Sequence, residues 1–273
     1  MSARMNAVAA VAAMVSISCS GSAERRETLD VATTTSVQNS GLLEAVLRHF
    51  TDAIVRVHAA GSGRSLEMLK DGIVDLVISH APETEARYMA EHPDWQYRKL
   101  AYNRFVIVGP ANDPANIQQA THALEAFRRI ATTPAATFVS RGDQSGTHER
   151  EQALWKAAGV TPPADRLLVS GRSMAVALRH AQERQGYTLS DEATFWQMER
   201  QLDLVVLFRS DARLLNTYAV IHPRNNQTAG AFAEWLSRGG GRERIERYQI
   251  QGRVAFTVWP RSCPDNTPAL PPC

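Results

Sequence analysis

A chain of 273 residues, 44% hydrophobic and 21% charged, carries enough apolar material for real cores in one large or two modest globular domains. Its formal net charge of +2 is too small for an electrostatic footprint on nucleic acid, and no basic block or aromatic-rich basic stripe appears, so nucleic acid is excluded as a partner. Nothing in the composition reads as disordered.

The first segment in chain order is separable from the rest. Arg4 supplies a short positive region, Ala7 to Ile17 is mostly small and apolar, and Gly21-Ser22-Ala23 offers small residues just before the charged run Glu24 to Glu27. This pattern predicts a secretory signal over residues 1–23 and export to the periplasmic or extracellular side, the apolar stretch being too short for a stable bilayer anchor. Ser16-Ile17-Ser18-Cys19 approximates a lipoprotein box, although the position three before the cysteine is usually Leu. Lipid anchoring at Cys19 therefore stands as an alternative to release.

From Leu29 onward, short β-type runs alternate with amphipathic segments. Leu29 to Thr33 reads as a strand, Gly41 to Phe50 as a helix, and Ile54 to His58 as a second strand. Ser65 to Asp71 makes a short helix stopped by Gly72, and Val74 to Ser79 a third strand. The βαβαβ order predicts parallel strands with right-handed crossovers, hence an α/β fold of two lobes, each a mainly parallel sheet flanked by helices. Phe105 to Pro110 is another apolar run, closed by Gly-Pro, and reads as the crossing into a second lobe. That lobe would contain helices at Ala123 to Ala131, Thr147 to Ala158 and Ser173 to Gln185, and strands at Thr137 to Ser140 and Leu202 to Phe208. Tyr218 to His222 reads as the return crossing, after which Ala229 to Ser237 and Glu243 to Tyr248 pack back on the first lobe. The expected organisation is lobe I over 28–108 plus 215–255, lobe II over 109–214, and a tail over 256–273. In that tail Cys263 and Cys273 bracket a proline-rich stretch. They either pair in an oxidising compartment or stay as free thiols on an unpacked end.

One local arrangement recurs, in which a strand ends in hydroxyl and glycine residues and a helix begins soon after. It occurs at Thr33-Thr34-Thr35-Ser36, at Gly61-Ser62-Gly63, at Ser145-Gly146-Thr147 and at Ser170-Gly171-Arg172-Ser173. Each helix start presents unpaired backbone N–H groups and the positive end of the macrodipole, hydroxyls add adjustable donors, and open α/β sheets hold ligands at the carboxyl ends of strands. A single case is an ordinary N-cap; the recurrence points to several starts converging on one anion. The sharpest signal is Ser140-Arg141-Gly142-Asp143-Gln144-Ser145-Gly146-Thr147-His148, where a guanidinium joins oriented amides and hydroxyls.

Rival chemistries find less support. No P-loop lysine motif or HExxH is present, and the eight histidines are scattered without ligand spacing, so neither metal, cofactor nor enzymatic activity is expected. His80 and His148 fall near the proposed cleft, where a solvated or capping role is expected of each. Gly142 to Gly146 vaguely matches the nucleophile region of chymotrypsin-like proteases, but neither a strand-rich double barrel nor partner His and Asp residues accompany it.

At these residues the sequence resembles the tungstate-binding proteins of Tup-type ABC transporters. The likeness runs through ATTTSVQNSGLLEAVLRHF (Ala32 to Phe50), GIVDLVISHAPETE (Gly72 to Glu85), NRFVIVGPANDPANI (Asn103 to Ile117), FVSRGDQSGTHEREQALWKAAG (Phe138 to Gly159) and GYTLSDEATF (Gly186 to Phe195). The resemblance implies a type II periplasmic-binding fold with tungstate in the interlobe cleft, and a permease and an ATPase as partners of a monomeric binding protein. Carried over by position, Thr34, Thr35, Ser36 and Ser62 would donate from the first lobe, and Arg141, Ser145, Gly146 and Thr147 from the second. The family commonly has a GTG turn followed by Gln where this chain has Gly61-Ser62-Gly63-Arg64, and GxGM where it has Gly171-Arg172-Ser173-Met174. Arg64 and Arg172 thus add positive charge that either tunes selectivity or points to solvent. The region from Ser237 onward matches least.

A dianion that stays unprotonated at neutral pH offers only acceptors, so its site should consist of donors. Phosphate keeps a proton and gains from one carboxylate. Asp143 separates the two cases, and it is expected to orient Arg141 or the turn instead. Tungstate and molybdate are nearly isosteric. A phosphate- or sulfate-binding protein of the same fold, an enzyme acting on a phosphorylated compound, and a sensor that uses the cleft to bind a partner are the alternatives.

Overall fold

The computed structural model describes residues 26–268. The expected signal segment, Cys19 and Cys273 lie outside the described residues. The chain begins with β1 (Thr28–Thr34), α1 (Thr35–Asn39), α2 (Leu42–Leu47), β2 (Ile54–Ala60), α3 (Ser62–Lys70), β3 (Leu76–Ser79) and α4 (Pro82–Glu91). It continues through β4 (Trp95–Pro110), α5 (Ala123–Thr132), β5 (Phe138–Ser140), α6 (Gly146–Ala158), β6 (Leu167–Val169), α7 (Met174–Glu183), β7 (Thr188–Asp191), α8 (Glu192–Met198) and β8 (Leu204–Phe208). It closes with β9 (Leu215–Pro223), α9 (Gln227–Ser237), α10 (Gly240–Arg247), β10 (Gln249–Ile250), β11 (Arg253–Val254) and β12 (Thr257–Val258).

The main sheet has the order β12-β4-β9-β3-β1-β2, and β7 and β8 pair farther along β4. β1 runs parallel to β2 and β3, while β9 runs antiparallel to both β3 and β4, so β1 to β4 share one direction. The apolar run at Phe105 to Pro110 is the distal part of a 16-residue strand. Trp95 to Arg104 of that strand pair with β9, and Phe105 to Pro110 pair with β7 and β8. One continuous strand thereby links both parts of the sheet.

Helices cover the faces because each lays an apolar side on the sheet. On one side of the proximal sheet Val31, Ile78 and Val220 pack against Val46 of α2 and Phe232 of α9, while on the other Val77 and Ile221 pack with Leu66 of α3 and Tyr88 of α4. Around the distal part, Phe127 of α5, Phe138 of β5 and Trp155 of α6 form an aromatic cluster with centroid separations of 4.3 to 5.7 Å.

The expected helix from Gly41 to Phe50 is shorter, ending at Leu47, because Gly41 sits at φ 74° as the break from α1 and the chain leaves the helix before Phe50. The described part of the tail is not an unpacked end. β12 pairs with β4, and Trp259, 1% exposed, receives the Lys99 ammonium 4.5 Å from its ring centroid. Cys263 is disulfide-bonded, its partner lying outside the described residues. Among the described residues, no helix is long and apolar enough to cross a membrane.

Candidate anion-binding site

Strand register brings the first two hydroxyl-rich turns together. Thr34 faces Ala60 across β1 and β2, so Gly61 and Ser62 emerge beside Thr35, and Thr33 faces Ile78, which places Ser79 and His80 alongside. Thr34 caps α1, its Oγ1 accepting the Val37 N–H at 3.3 Å. Ser62 begins α3, and its Oγ accepts the His80 N–H at 3.4 Å. Across the interior, Ser145 caps α6 and accepts the His148 N–H at 3.3 Å. A hydroxyl that accepts in this way keeps its own hydrogen to donate. Thr34, Ser62 and Ser145 are each at most 1% exposed, and Thr35 is half-buried. Ser36 Oγ and Thr147 Oγ1 are buried and have no hydrogen-bond partner among the described residues.

The two groups of turns touch. A Cβ on Gly61 would lie 3.3 Å from the Asp143 carbonyl oxygen and 3.5 Å from Ser145 Cα, so any side chain there would make the facing turn give by a few tenths of an ångström. Gly146 is tighter still, since a Cβ there would fall 2.3 Å from the His80 carbonyl oxygen. The start of α6 therefore lies against the end of β3, and Thr194 Oγ1 of α8 donates to the Ser36 carbonyl at 3.5 Å.

Arg141 follows β5 and is fully buried. Its Nη2 bonds Asp143 Oδ2 at 2.5 Å, its Nε donates to the Arg172 carbonyl at 3.0 Å, and Nη1 meets Met174 Sδ at 3.5 Å, a weak acceptor. The other Asp143 oxygen accepts the Ser145 N–H at 3.2 Å. Asp143 thus orients both the guanidinium and the turn, with each of its oxygens engaged. Beneath, Glu151 Oε2 accepts the Arg141 N–H at 3.1 Å; burial pushes this carboxyl up to about 7, against the hydrogen bonds from Ser140 and the Arg141 N–H and the Arg141 charge. Burial also raises Asp191, which caps α8 through the Thr194 N–H.

The fourth hydroxyl-glycine turn serves differently. Ser170 Oγ and the Gly171 N–H donate to the Arg141 carbonyl, and Arg172 gives its carbonyl to the guanidinium, while the Gly171 and Arg172 side of the turn is exposed. It braces Arg141 from outside. Arg64 is exposed and paired with Glu67 at 2.6 Å. Neither extra arginine is buried in the shell.

The histidines divide. His148 is local, its Nδ1 accepting the Gln144 N–H at 3.2 Å. His80 is neither solvated nor a cap. It is 1% exposed, and its Nδ1 lies 2.9 Å from Asn216 Oδ1, an atom that can only accept because Asn216 Nδ2 donates to Asn103 Oδ1 and Tyr218 Oη. Burial lowers its pKa to about 4, with the Arg141 charge acting in the same direction, so near neutral pH the ring is uncharged and Nε2 carries a lone pair. It is a structural anchor and not an anion donor.

Three participants escaped the sequence: Asp191, Thr194 and Glu149, whose carboxylate reaches α4. The first two had a signal, since Asp-x-x-Thr at a strand end is N-cap spacing. Among the described residues, no group of three or more His, Cys, Asp or Glu is placed to hold a metal ion. An open cavity of about 500 Å³ lies elsewhere, between β4, β9 and α9, and includes none of the eight predicted residues. There Arg98 is ion-paired with Glu234, so the guanidinium charge is already met.

A donor-lined interior at the strand ends of an α/β sheet, entered by helix starts from two separated stretches of chain, is the construction of a solute-binding protein. The chain belongs to the PBP superfamily, whose domain matches residues 19–238. Its relatives include the tungstate-binding protein TupA of Peptoclostridium acidaminophilum, 36% identical over 241 residues that cover 83% of this chain and 84% of the relative. The structure of the tungstate ABC transporter from Geobacter sulfurreducens is 37% identical, covers 81% of this chain and 99% of that one, and aligns with a TM-score of 0.73. The tungstate-binding protein TupA from Desulfovibrio alaskensis G20 is 32% identical, covers 85% of this chain and 98% of that one, and has a TM-score of 0.71. The chain's homologues are thus tungstate-binding proteins of ABC transporters, and the expected α/β binding-protein fold holds.

Proposed function

We propose that this protein captures tungstate, or the nearly isosteric molybdate, outside the cytoplasm and delivers it to the permease and ATPase of an ABC importer, binding its ligand without transforming it. The chain acts as a monomer, exported by the segment 1–23, with lobe I over 28–108 plus 215–255 and lobe II over 109–214. Thr34, Thr35, Ser36 and Ser62 donate from one lobe, and Arg141, Ser145, Gly146 and Thr147 from the other. The observation that carries this is that Ser36 Oγ and Thr147 Oγ1, one at each of two helix starts, are among the buried polar atoms without a partner in the described residues, and that Arg141 is fully buried. Buried polar groups are ordinarily satisfied, and these two are satisfied by a ligand made only of acceptors.

Magnitudes are consistent. Nanomolar affinity needs about 12 kcal/mol net, and charge-assisted hydrogen bonds contribute about 1.5–3 kcal/mol each. Roughly six to eight donors therefore suffice after desolvation, which the eight residues can supply. Asp143 leaves no free acceptor for a hydrogen phosphate, because both of its oxygens are already used, on Arg141 and on the Ser145 N–H. The test is titration calorimetry with tungstate, molybdate, sulfate and phosphate. Tight binding of the first two and weak or absent binding of the others is expected; no heat with any of them removes the transport function.

A further inference from the structure

We propose that Glu149 is the latch that holds the binding cleft shut, by capping a helix of the opposite lobe. This rests on the two-lobed capture function above and adds the residue that sets how long the ligand stays. α4 has no side-chain cap of its own at Ala81. The Ala81 N–H is taken by Glu85 Oε1 at 2.8 Å, and Pro82 has no N–H to satisfy. The next donors are met from elsewhere: Glu149 Oε1 accepts the Glu83 N–H at 3.0 Å, and Oε2 accepts the Thr84 N–H at 3.2 Å together with the Thr84 hydroxyl.

Glu149 stands in the first turn of α6, two residues after Thr147. The same helix therefore presents ligand donors at its N-terminus and, by one side chain, a carboxylate to the N-terminus of α4, where the macrodipole favours negative charge. Arg150, half-buried, is near enough to Glu83 and Glu149 to feel both charges, and offsets the crowding of acids around the latch. α4 follows β3 in lobe I and α6 belongs to lobe II. Separation of the lobes strips α4 of two backbone partners and a hydroxyl partner at once, while local contacts within each lobe persist. Glu149 is a positioning residue: it acts on the ligand through closure.

The experiment measures tungstate association and dissociation rates, thermal midpoints with and without tungstate, and solution scattering, for the purified protein and for Glu149→Gln and Thr84→Val. Gln keeps one carbonyl acceptor and turns an NH2 toward the donors. Dissociation from Glu149→Gln should be roughly tenfold faster, with association changed by less than about twofold, since interface changes act mainly on escape. Thr84→Val should give a smaller change in the same direction. The ligand-free midpoint should stay put, because an open cleft has no latch to lose, and only the tungstate-induced rise in midpoint should shrink. An unchanged dissociation rate overturns the latch, as does an equal fall of both midpoints, which would mark a static cap. If the unaltered protein binds no tungstate, the tungstate function fails instead, and the latch is judged by the same dissociation rates with whichever of molybdate, sulfate or phosphate it does bind.

Discussion

The two sides of the proposed shell are built on opposite plans. The side formed by β1, α1 and α3 is neutral: Thr34, Thr35, Ser36 and Ser62 are hydroxyls, and α1 is only five residues long, too short to carry a full macrodipole. The side formed by the turn after β5 and by α6 is charged. Arg141 is fully buried, Asp143 and Glu151 hold it, and α6 runs for 13 residues behind the donors. A buried guanidinium costs desolvation energy that only nearby acceptors offset, so it sits where Asp143 and the Arg172 carbonyl already wait. In the proposed site one half supplies shape and donor number, and the other supplies charge.

Arg141→Ala breaks this asymmetry most severely. A charge-assisted donor is lost, so tungstate affinity measured by calorimetry should fall about a hundredfold. Stability should fall as well, by roughly 3–5 kcal/mol in a denaturant titration, because Asp143 loses its buried partner. Arg141→Lys keeps the charge but not the fork, and should land between the variant and the original in affinity. Unchanged affinity in a folded Arg141→Ala protein would place the binding site elsewhere.

Gly146→Ala tests whether the halves must meet. The added methyl would overlap the His80 carbonyl, a backbone atom that cannot step aside as a flexible side chain can. Overpacking typically costs about 1–3 kcal/mol, and here it falls on the closed state. Tungstate affinity should drop roughly tenfold, with the ligand-free thermal midpoint little changed. If affinity holds and the ligand-free midpoint falls instead, α6 and β3 are joined permanently and closure is not part of binding.

Legibility in the sequence followed locality. The turn from Ser140 to Thr147 declared itself because capping, glycine and guanidinium chemistry all lie within eight residues, and the structure shows Asp143 orienting Arg141 as the sequence suggested. Trp95 to Arg104 did not read as strand, since the polar Lys99 and Asn103 occupy buried positions and a register shift between Lys99 and Ala101 breaks the alternation. α4 escaped although Pro82 at its start and Glu83 and Glu85 in its first turn are ordinary helix-start signals. His80 looked solvated because its partner, Asn216, lies 136 residues away. Glu149 was invisible for the same reason: its acceptor role depends on two elements some 65 residues apart in the chain meeting in space. Local chemistry survives in a sequence; pairings across the fold do not.

Thr147→Val produces the smallest change and the sharpest test, because binding and stability should move in opposite directions. Thr147 Oγ1 is buried and unpartnered among the described residues, so the folded protein already bears the cost of desolvating it. Replacing the hydroxyl by a methyl of the same shape relieves that cost, and the ligand-free protein should be as stable or more stable, by up to about 1 kcal/mol. Tungstate, deprived of one neutral donor, should bind roughly fivefold more weakly. A threonine kept for packing or for a hidden internal bond would instead lose stability and leave affinity alone. Ser36→Ala should weaken tungstate binding in the same way on the neutral side, without the gain in stability, because no methyl replaces the lost oxygen. Should only Thr147→Val show it, the charged half would bind the anion by itself, and the hydroxyls of β1 and α1 would serve the fold alone.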